Sequence, residues 1–125
     1  MREIKFRGKK ISDNKWEYGY LLNTCYDDKV YIAFFKDKER EVFPKTVGQY
    51  IGLKDKNGVE IYEGDKVRHK YLRKYKEAII KFKEGCYGME ITDNSDWDKG
   101  RWIFVGAVNK DNELQYTEII GNIHE

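Results

Sequence analysis

The sequence predicts an all-β protein with little helix, and three observations support this fold class. Large apolar residues alternate with polar ones along short segments, as Ile4 and Phe6 alternate with Lys5 and Arg7, and this is the pattern of a half-buried strand. Gly, Asn and Asp residues separate such segments at short intervals. The chain has 125 residues, of which 15% are aromatic, so it can build one folded core.

The N-terminal segment predicts a β-hairpin over residues 2–22. Trp16, Tyr18 and Tyr20 alternate with polar or small residues and form its second strand. Residues 12–14 read Ser-Asp-Asn, and such side chains bond to the nearby backbone, which favours a turn. The aromatic rings predict cross-strand packing, with a ligand groove as the alternative.

The next segment predicts a strand, a charged loop and a second strand. Residues 30–35 are β-branched and aromatic, which favours a more fully buried strand. Residues 36–41 are all charged, so we predict a solvated loop or hairpin end there. Val42 and Phe43 then form a strand, which Pro44 closes because proline has a restricted φ and no backbone donor.

Two turns are predicted at the centre of the chain. Asn57 and Gly58 tolerate positive φ and lie between apolar segments, which favours a hairpin turn. Gly64 and Asp65 form a second tight turn, from which a new strand starts.

The stretch from residue 71 to residue 83 has two interpretations. We predict a strand over residues 77–83, with the basic segment before it as a loop. A helix over residues 70–80 is the alternative, because the apolar residues there also fit one helical face. In both cases Glu84 and Gly85 make a turn, and a strand returns over residues 86–91.

The last part of the chain predicts two more strands, at residues 101–108 and 117–123. Gly121 interrupts the second, which indicates a bulge or a close approach of the backbone. Many short strands joined by short turns favour a small, strongly bent barrel in this half. We therefore predict an N-terminal β-hairpin and strand region at residues 1–61, packed on a barrel at residues 62–125 as one compact unit.

Composition and charge exclude several classes of protein. The 24 basic and 22 acidic residues leave a net charge of +2, which argues against a dedicated nucleic-acid binder. No apolar run approaches the roughly 20 residues of a membrane helix, and no apolar stretch follows the charged N-terminus, so we expect no membrane partner and no secretory signal. Cys25 and Cys86 lie outside any Cys-x-x-Cys pair, so a cytoplasmic protein with free thiols is expected.

Three segments carry a distinctive pattern. Residues 48–67 read GQYIGLKDKNGVEIYEGDKV, the start has REIKFR at residues 2–7, and the end has EIIGNIHE at residues 118–125. In this order they resemble the YopX family of small proteins encoded by phages and prophages of bacteria, whose closing segment is close to EVIGNIYE. Ile51 stands where the family more often has threonine, and the stretches between the segments match in strand character alone.

The resemblance implies a mostly β protein whose C-terminal half is a small SH3-like barrel. It also implies a phage or prophage origin and a place in the cytoplasm of the bacterial host cell. It implies no reaction, because the family has no established catalytic activity. We therefore expect no enzyme activity and no cofactor, and no catalytic or cofactor-binding residue is carried over. The turn residues Asn57, Gly58, Gly64 and Asp65 belong to the shared pattern and are read as structural.

A basic segment at residues 66–76 is the strongest polar feature of the sequence. Basic side chains with interleaved aromatic rings can follow a phosphate backbone and stack on bases. A solvated loop, balanced by acids at Asp93, Asp96 and Asp98, is the alternative. The candidate nucleic-acid contacts are Lys66, Arg68, Lys70, Tyr71, Arg73, Lys74 and Lys76.

Neither acidic segment predicts a metal site. The spacing of Asp55, Asn57 and Glu60 lacks the later glutamate of a calcium-binding EF-hand loop, so a turn is favoured. Trp97 lies in the acidic loop at residues 92–99. Because tryptophan is enriched in binding hot spots, Trp97 is a candidate anchor for a partner.

These observations predict a non-catalytic binding module that contacts another protein or associates with itself as a homo-oligomer. Nucleic-acid binding through residues 66–76 is the first alternative. An enzyme is the second, with a cysteine–histidine pair formed by Cys86 and His124 or by Cys25 and His69. No catalytic motif accompanies either pair.

Overall fold

The computed structural model of the protein describes residues 4–23, 28–34, 38–71, 74–92, 100–104 and 113–124. Strands dominate these residues, together with a 3₁₀ turn at Pro44–Thr46, and the all-β prediction is confirmed. In chain order the strands are β1 (Phe6–Lys9), β2 (Trp16–Asn23), β3 (Val30–Ala33), β4 (Glu39–Val42), β5 (Gly48–Lys54), β6 (Glu60–Tyr62), β7 (Asp65–Tyr71), β8 (Lys74–Lys83), β9 (Cys86–Ile91), β10 (Trp102–Phe104) and β11 (Thr117–Asn122).

The strands form two sheets, with the orders β4-β3-β2-β1-β5-β6 and β10-β9-β8-β7-β11. Neither sheet closes on itself within the described residues, so the SH3-like barrel stays a prediction. The chain divides into two compact units, Met1–Tyr50 and Ile51–Glu125. The division at residues 61 and 62 also stays a prediction.

The first unit begins with the predicted hairpin. β1 and β2 pair in antiparallel register from Phe6 opposite Gly19 to Lys9 opposite Trp16. In the turn, the Lys15 amide donates to the Asp13 side chain at 3.0 Å. The end of β1 also approaches β4, where the Phe43 amide donates to the Lys9 carbonyl at 2.9 Å.

The charged segment at residues 36–41 is partly a strand, and here the prediction of a loop is wrong. Residues 39–41 belong to β4, which pairs with β3, so that Arg40 lies opposite Ile32. β4 stands at the edge of its sheet, where charged side chains are tolerated and protect against unwanted pairing. The 3₁₀ turn that begins at Pro44 follows directly after β4 and Phe43, in agreement with the predicted strand end.

The core of the second unit lies on one face of its five-stranded sheet. Val67 of β7 and Ala78 and Ile80 of β8 point to this face and are buried. Apolar residues outside that sheet complete the core, because a one-sided sheet must cover its apolar face. The buried core residues are Ile51, Ile61, Val67, Ala78, Ile80, Met89 and Leu114.

The described residues of the basic segment, 66–71 and 74–76, form strands, so the predicted loop before residue 77 and the alternative helix are both wrong there. β7 and β8 pair in register as far as Tyr71 opposite Lys74. The predicted strand at residues 77–83 lies within β8 and is confirmed. A helix would leave Val67 and Ala78 without the cross-strand partners that bury both side chains, which is why strand pairing prevails over local periodicity.

The remaining strands follow the prediction where they are described. β9 returns after a turn in which Glu84 and Gly85 have φ values of 52° and 86°. β10 covers Trp102–Phe104, while residues 105–108 lie outside the described part of the chain. In β11 the register shifts between Ile119 and Gly121, so of the two explanations offered for Gly121 the bulge is the one observed.

Candidate functional site

The outer face of β7 carries a row of cations. Val67 is fully buried, and successive residues of a strand point to opposite sides. Lys66, Arg68 and Lys70 therefore point away from the core, and all three are exposed. We define this surface, together with Tyr75 of β8 and Tyr116 before β11, as the outer face of β7.

Two acids accompany these cations. Glu77 of β8 and Glu118 of β11 both lie opposite Arg68, one on each side. Glu118 is engaged by Lys56, whose Nζ lies 3.4 Å from its carboxylate. Within the described residues, Lys66, Arg68 and Lys70 themselves form no ion pair. The row is therefore open to solvent, with a positive charge that the two acids reduce.

Two tyrosine rings flank Lys70. Tyr75 lies opposite Lys70 in the β7–β8 register, and the Lys70 amide donates to the Tyr116 carbonyl at 3.0 Å. The Lys70 ammonium lies 6.0 Å from the centre of the Tyr116 ring. Each tyrosine is 58% exposed. The arrangement places two accessible π faces beside a cation, a combination that suits planar, anionic ligands.

The structure separates Lys76, another predicted nucleic-acid contact, from this row. Lys76 lies opposite His69 on the core side of the sheet and is 5% exposed. Lys74 is exposed at the start of β8. Arg73 and the side chain of Tyr71 lie outside the part of the chain whose side chains are described. Tyr116 was not among the predicted contacts, because its proximity to Lys70 depends on the pairing of β7 with β11.

His69 is half-buried on the core side of the five-stranded sheet. Its Nδ1 lies 2.8 Å from the hydroxyl of Thr117, which is fully buried. Burial lowers the pKa of His69 from its usual value, because desolvation disfavours the charged imidazolium. A neutral imidazole bonded to a buried hydroxyl is a structural element of the β7–β11 pair.

A second exposed surface lies on β2 in the first unit. Tyr18, Tyr20 and Leu22 occur at alternate positions and therefore share one face of the strand. They are 40%, 64% and 38% exposed, respectively. We call these three residues the tyrosine face. At the start of the same row, Trp16 stacks with Arg7, whose guanidinium carbon lies 4.2 Å from the indole centre.

A small cavity lies between β8, β9 and β10. It has a volume of about 260 Å³ and is lined by Lys83, Glu84, Cys86 and Trp102. The Lys83 ammonium lies 5.5 Å from the Trp102 ring centre, and the Cys86 thiol donates to the Lys83 carbonyl at 3.5 Å. Cys86 lies on the outer side of the sheet, since it pairs with Lys83, whereas His69 lies on the core side.

The two central turns are built around buried aspartates. Asp55 Oδ1 accepts hydrogen bonds from the amides of Asn57 and Val59, each at 2.9 Å, and Gly58 has a φ of 80°. In the second turn the Tyr62 amide donates to Asp65 at 2.8 Å. Asn57, Gly58 and Gly64 thus lie in turns, and Asp65, the first residue of β7, closes the second turn with its side chain. Asp55 was not predicted as the residue that organises the first one.

Several predicted site residues lie outside the described residues. They include the proposed anchor Trp97 and the acids at residues 93, 96 and 98. Cys25, which was suggested to form a cysteine–histidine pair with His69, also lies outside them. In the part of the chain that is described, no group of three or more His, Cys, Asp or Glu residues could hold a metal ion. The same part contains no helix with the length and apolar character needed to cross a bilayer.

Comparisons with known proteins identify the family. A search of curated proteins finds no match. Among solved structures, the crystal structure of protein EF1440 from Enterococcus faecalis is similar, with a TM-score of 0.48 and 21% sequence identity, covering 99% of this chain and 95% of that chain. The family model described as YopX protein matches residues 5–125. The chain therefore belongs to the YopX family.

Proposed function

We propose that this protein is a non-catalytic binding module that contacts another protein, or a second copy of itself, through the tyrosine face. The observation that carries this proposal is the exposure of Tyr18, Tyr20 and Leu22 in one row of β2. Contiguous apolar surface is seldom left exposed without a function, and tyrosine is enriched among the residues that dominate binding energy.

The absence of a catalytic role is part of the proposal. His69 is half-buried, and its Nδ1 is bonded to the buried hydroxyl of Thr117, so it is badly placed to exchange protons with a substrate. Cys86 donates to a backbone carbonyl rather than to a described base. These contacts support a structural role for both residues.

The family resemblance supports a further part of the proposal. We place the protein among phage or prophage accessory proteins that act in the cytoplasm of a bacterial host, with an SH3-like arrangement of the C-terminal strands.

The test compares matched tyrosine variants. Sedimentation velocity over a wide concentration range measures self-association, and affinity capture from host lysate, with and without nuclease, measures protein partners. We expect the double variant Tyr20→Ser and Leu22→Ser to lose the associated species. Tyr116→Ser removes a ring of similar exposure from the second unit and should leave the associated species of the nuclease-treated samples unchanged. Equal behaviour of both variants would contradict the proposal.

Nucleic-acid binding is the second candidate function. It is favoured by a specific observation, namely the three cations on the outer face of β7 that form no ion pair among the described residues. Because binding to phosphates releases counterions, the affinity should fall steeply as salt is raised. A weak or absent salt dependence in an oligonucleotide binding assay would argue against it.

A further inference from the structure

The cations on the outer face of β7 form a line. Lys66, Arg68 and Lys70 occupy alternate positions of one strand, so neighbouring side chains start about 6.6 Å apart and the row extends about 13 Å. A point-like anion would occupy one such position. A linear polyanion with regularly repeated charges can contact all three, which favours a nucleic-acid backbone.

The two tyrosines select the form of nucleic acid. Tyr75 and Tyr116 belong to the chain segments on either side of β7, and both rings are 58% exposed beside Lys70. Aromatic rings stack on bases of any sequence. The faces of the bases are accessible in a single strand, whereas in a duplex they are covered by their neighbours. A site with cations in a row and rings at one end therefore matches an unpaired strand.

An acidic side chain beside the row of cations weakens the binding of a phosphate. Glu77 is exposed and lies opposite Arg68, so it repels a phosphate at the centre of the row. Glu118, on the other side of Arg68, is engaged by Lys56 at 3.4 Å. Removing the charge of Glu77 should therefore strengthen binding, a gain that a loss of folding cannot produce.

We propose that the outer face of β7 binds single-stranded nucleic acid, with Lys66, Arg68 and Lys70 on the phosphates and with Tyr75 and Tyr116 stacked on bases. This inference rests on the second of the two functions proposed above. It adds that the bound nucleic acid is single-stranded, and it names the residues that contact the phosphates and the bases.

The experiment measures fluorescence anisotropy of a labelled single-stranded oligothymidine of about 20 nucleotides and of a duplex of the same length. We expect tighter binding of the single strand. With three phosphates neutralised, the slope of log K against log salt should be about −2, which is about a 16-fold loss of affinity between 50 and 200 mM NaCl. Tyr75→Ala and Tyr116→Ala should each weaken binding about tenfold.

Two controls make the result specific. Glu77→Gln should raise the affinity by about two- to fivefold, whereas Lys45→Ala removes an exposed cation of the first unit and should change nothing. Melting curves followed by circular dichroism identify any variant that fails to fold. Glu77→Gln keeps the test decisive even if an alanine variant is unstable.

Three outcomes would overturn the inference: equal or tighter binding of the duplex, unchanged affinity after both tyrosine substitutions, or equal binding of an acidic peptide such as polyglutamate. The proposed protein-binding function is tested separately by Tyr20→Ser and Leu22→Ser. Those substitutions should leave oligonucleotide binding intact, so the failure of one function is distinguishable from the failure of the other.

Discussion

At the scale of single residues, buried carboxylates organise this fold. Asp55 is 1% exposed and uses both oxygens. Oδ1 accepts from the amides of Asn57 and Val59 within its own turn, and Oδ2 accepts from the Ile119 amide at 3.1 Å. The same side chain therefore shapes a local turn and attaches it to β11, 64 residues later in the chain.

We predict that Asp55→Ala lowers the free energy of unfolding by about 3 kcal/mol, because it leaves three amides without their acceptor. Asp55→Asn should cost less, since it retains one carbonyl oxygen. Urea denaturation followed by circular dichroism measures both. Asp13→Ala is the matched control: Asp13 also accepts from a backbone amide in a turn, but it is exposed, and its loss should change stability far less. Equal costs at the two sites would contradict this account.

His69 should make stability depend on pH. Its pKa is lowered from 6.5 in the folded protein, so near that value the unfolded chain binds more protons. The neutral imidazole therefore contributes to the free energy of unfolding above pH 6.5, and this contribution is lost as the pH falls through the lowered pKa. The neighbouring groups are Thr117 and, across the strand pair, Lys76.

Urea unfolding at about pH 5 and about pH 7.5 tests this expectation. The wild type should lose more stability between the two than His69→Gln, because glutamine does not titrate. The carboxylates are common to both proteins, so their effect cancels in the difference. Equal pH dependences would show that His69 does not contribute.

At the scale of elements, the outer surface of the second sheet depends on a glycine. Gly88 of β9 lies beneath the Trp102 ring of β10, and a Cβ at this position would be 2.4 Å from Cζ2 of that indole. No side chain larger than hydrogen fits without movement. Gly88 therefore allows Trp102 to lie flat across β9 and to form a wall of the cavity beside Cys86.

We expect Gly88→Ala to lower stability by about 2 kcal/mol, through overpacking against the indole, and to alter tryptophan fluorescence. The cost should be smaller in a Trp102→Ala background, where the closest contact is removed and the Ile103 carbonyl at 2.8 Å remains. A double-mutant cycle measures this coupling. Additive effects of the two substitutions would contradict the proposed packing.

The basic segment shows why an element can be misjudged from its sequence. Around residues 70–80 the apolar side chains fit both a helical face and a strand, so local periodicity does not decide between them. The choice follows from pairing, since β8 lies between β7 and β9 and its backbone bonds to both. The same pairing directs Lys76 to the core side and Lys70 to the outer side.

At the scale of the whole molecule, the balance of charge is an average over unlike surfaces. The 24 basic and 22 acidic residues nearly cancel, yet the outer face of β7 has three cations in a row. Overall self-repulsion is therefore small, and exposed ion pairs such as Lys56 with Glu118, at 3.4 Å, contribute little to stability.

We accordingly predict that salt affects binding and stability differently. Raising NaCl from about 50 to about 500 mM should shift the melting temperature by less than about 3 °C, while the affinity for single-stranded oligonucleotide falls steeply over the same range. Circular dichroism and anisotropy on the same samples measure the two responses. A large shift of the melting temperature would show that uneven charge also controls folding.

The sequence by itself determined the fold class, the first hairpin, the bulge at Gly121 and the turns at Asn57-Gly58 and Gly64-Asp65. These features depend on neighbours along the chain, because alternation, turn chemistry and positive φ are local properties. The tertiary structure alone decided which cations share a face, that Tyr116 lies beside Lys70, and that Asp55 reaches Ile119. Each of these depends on the pairing of strands distant in sequence, and pairing is chosen by the burial of apolar faces across the whole sheet.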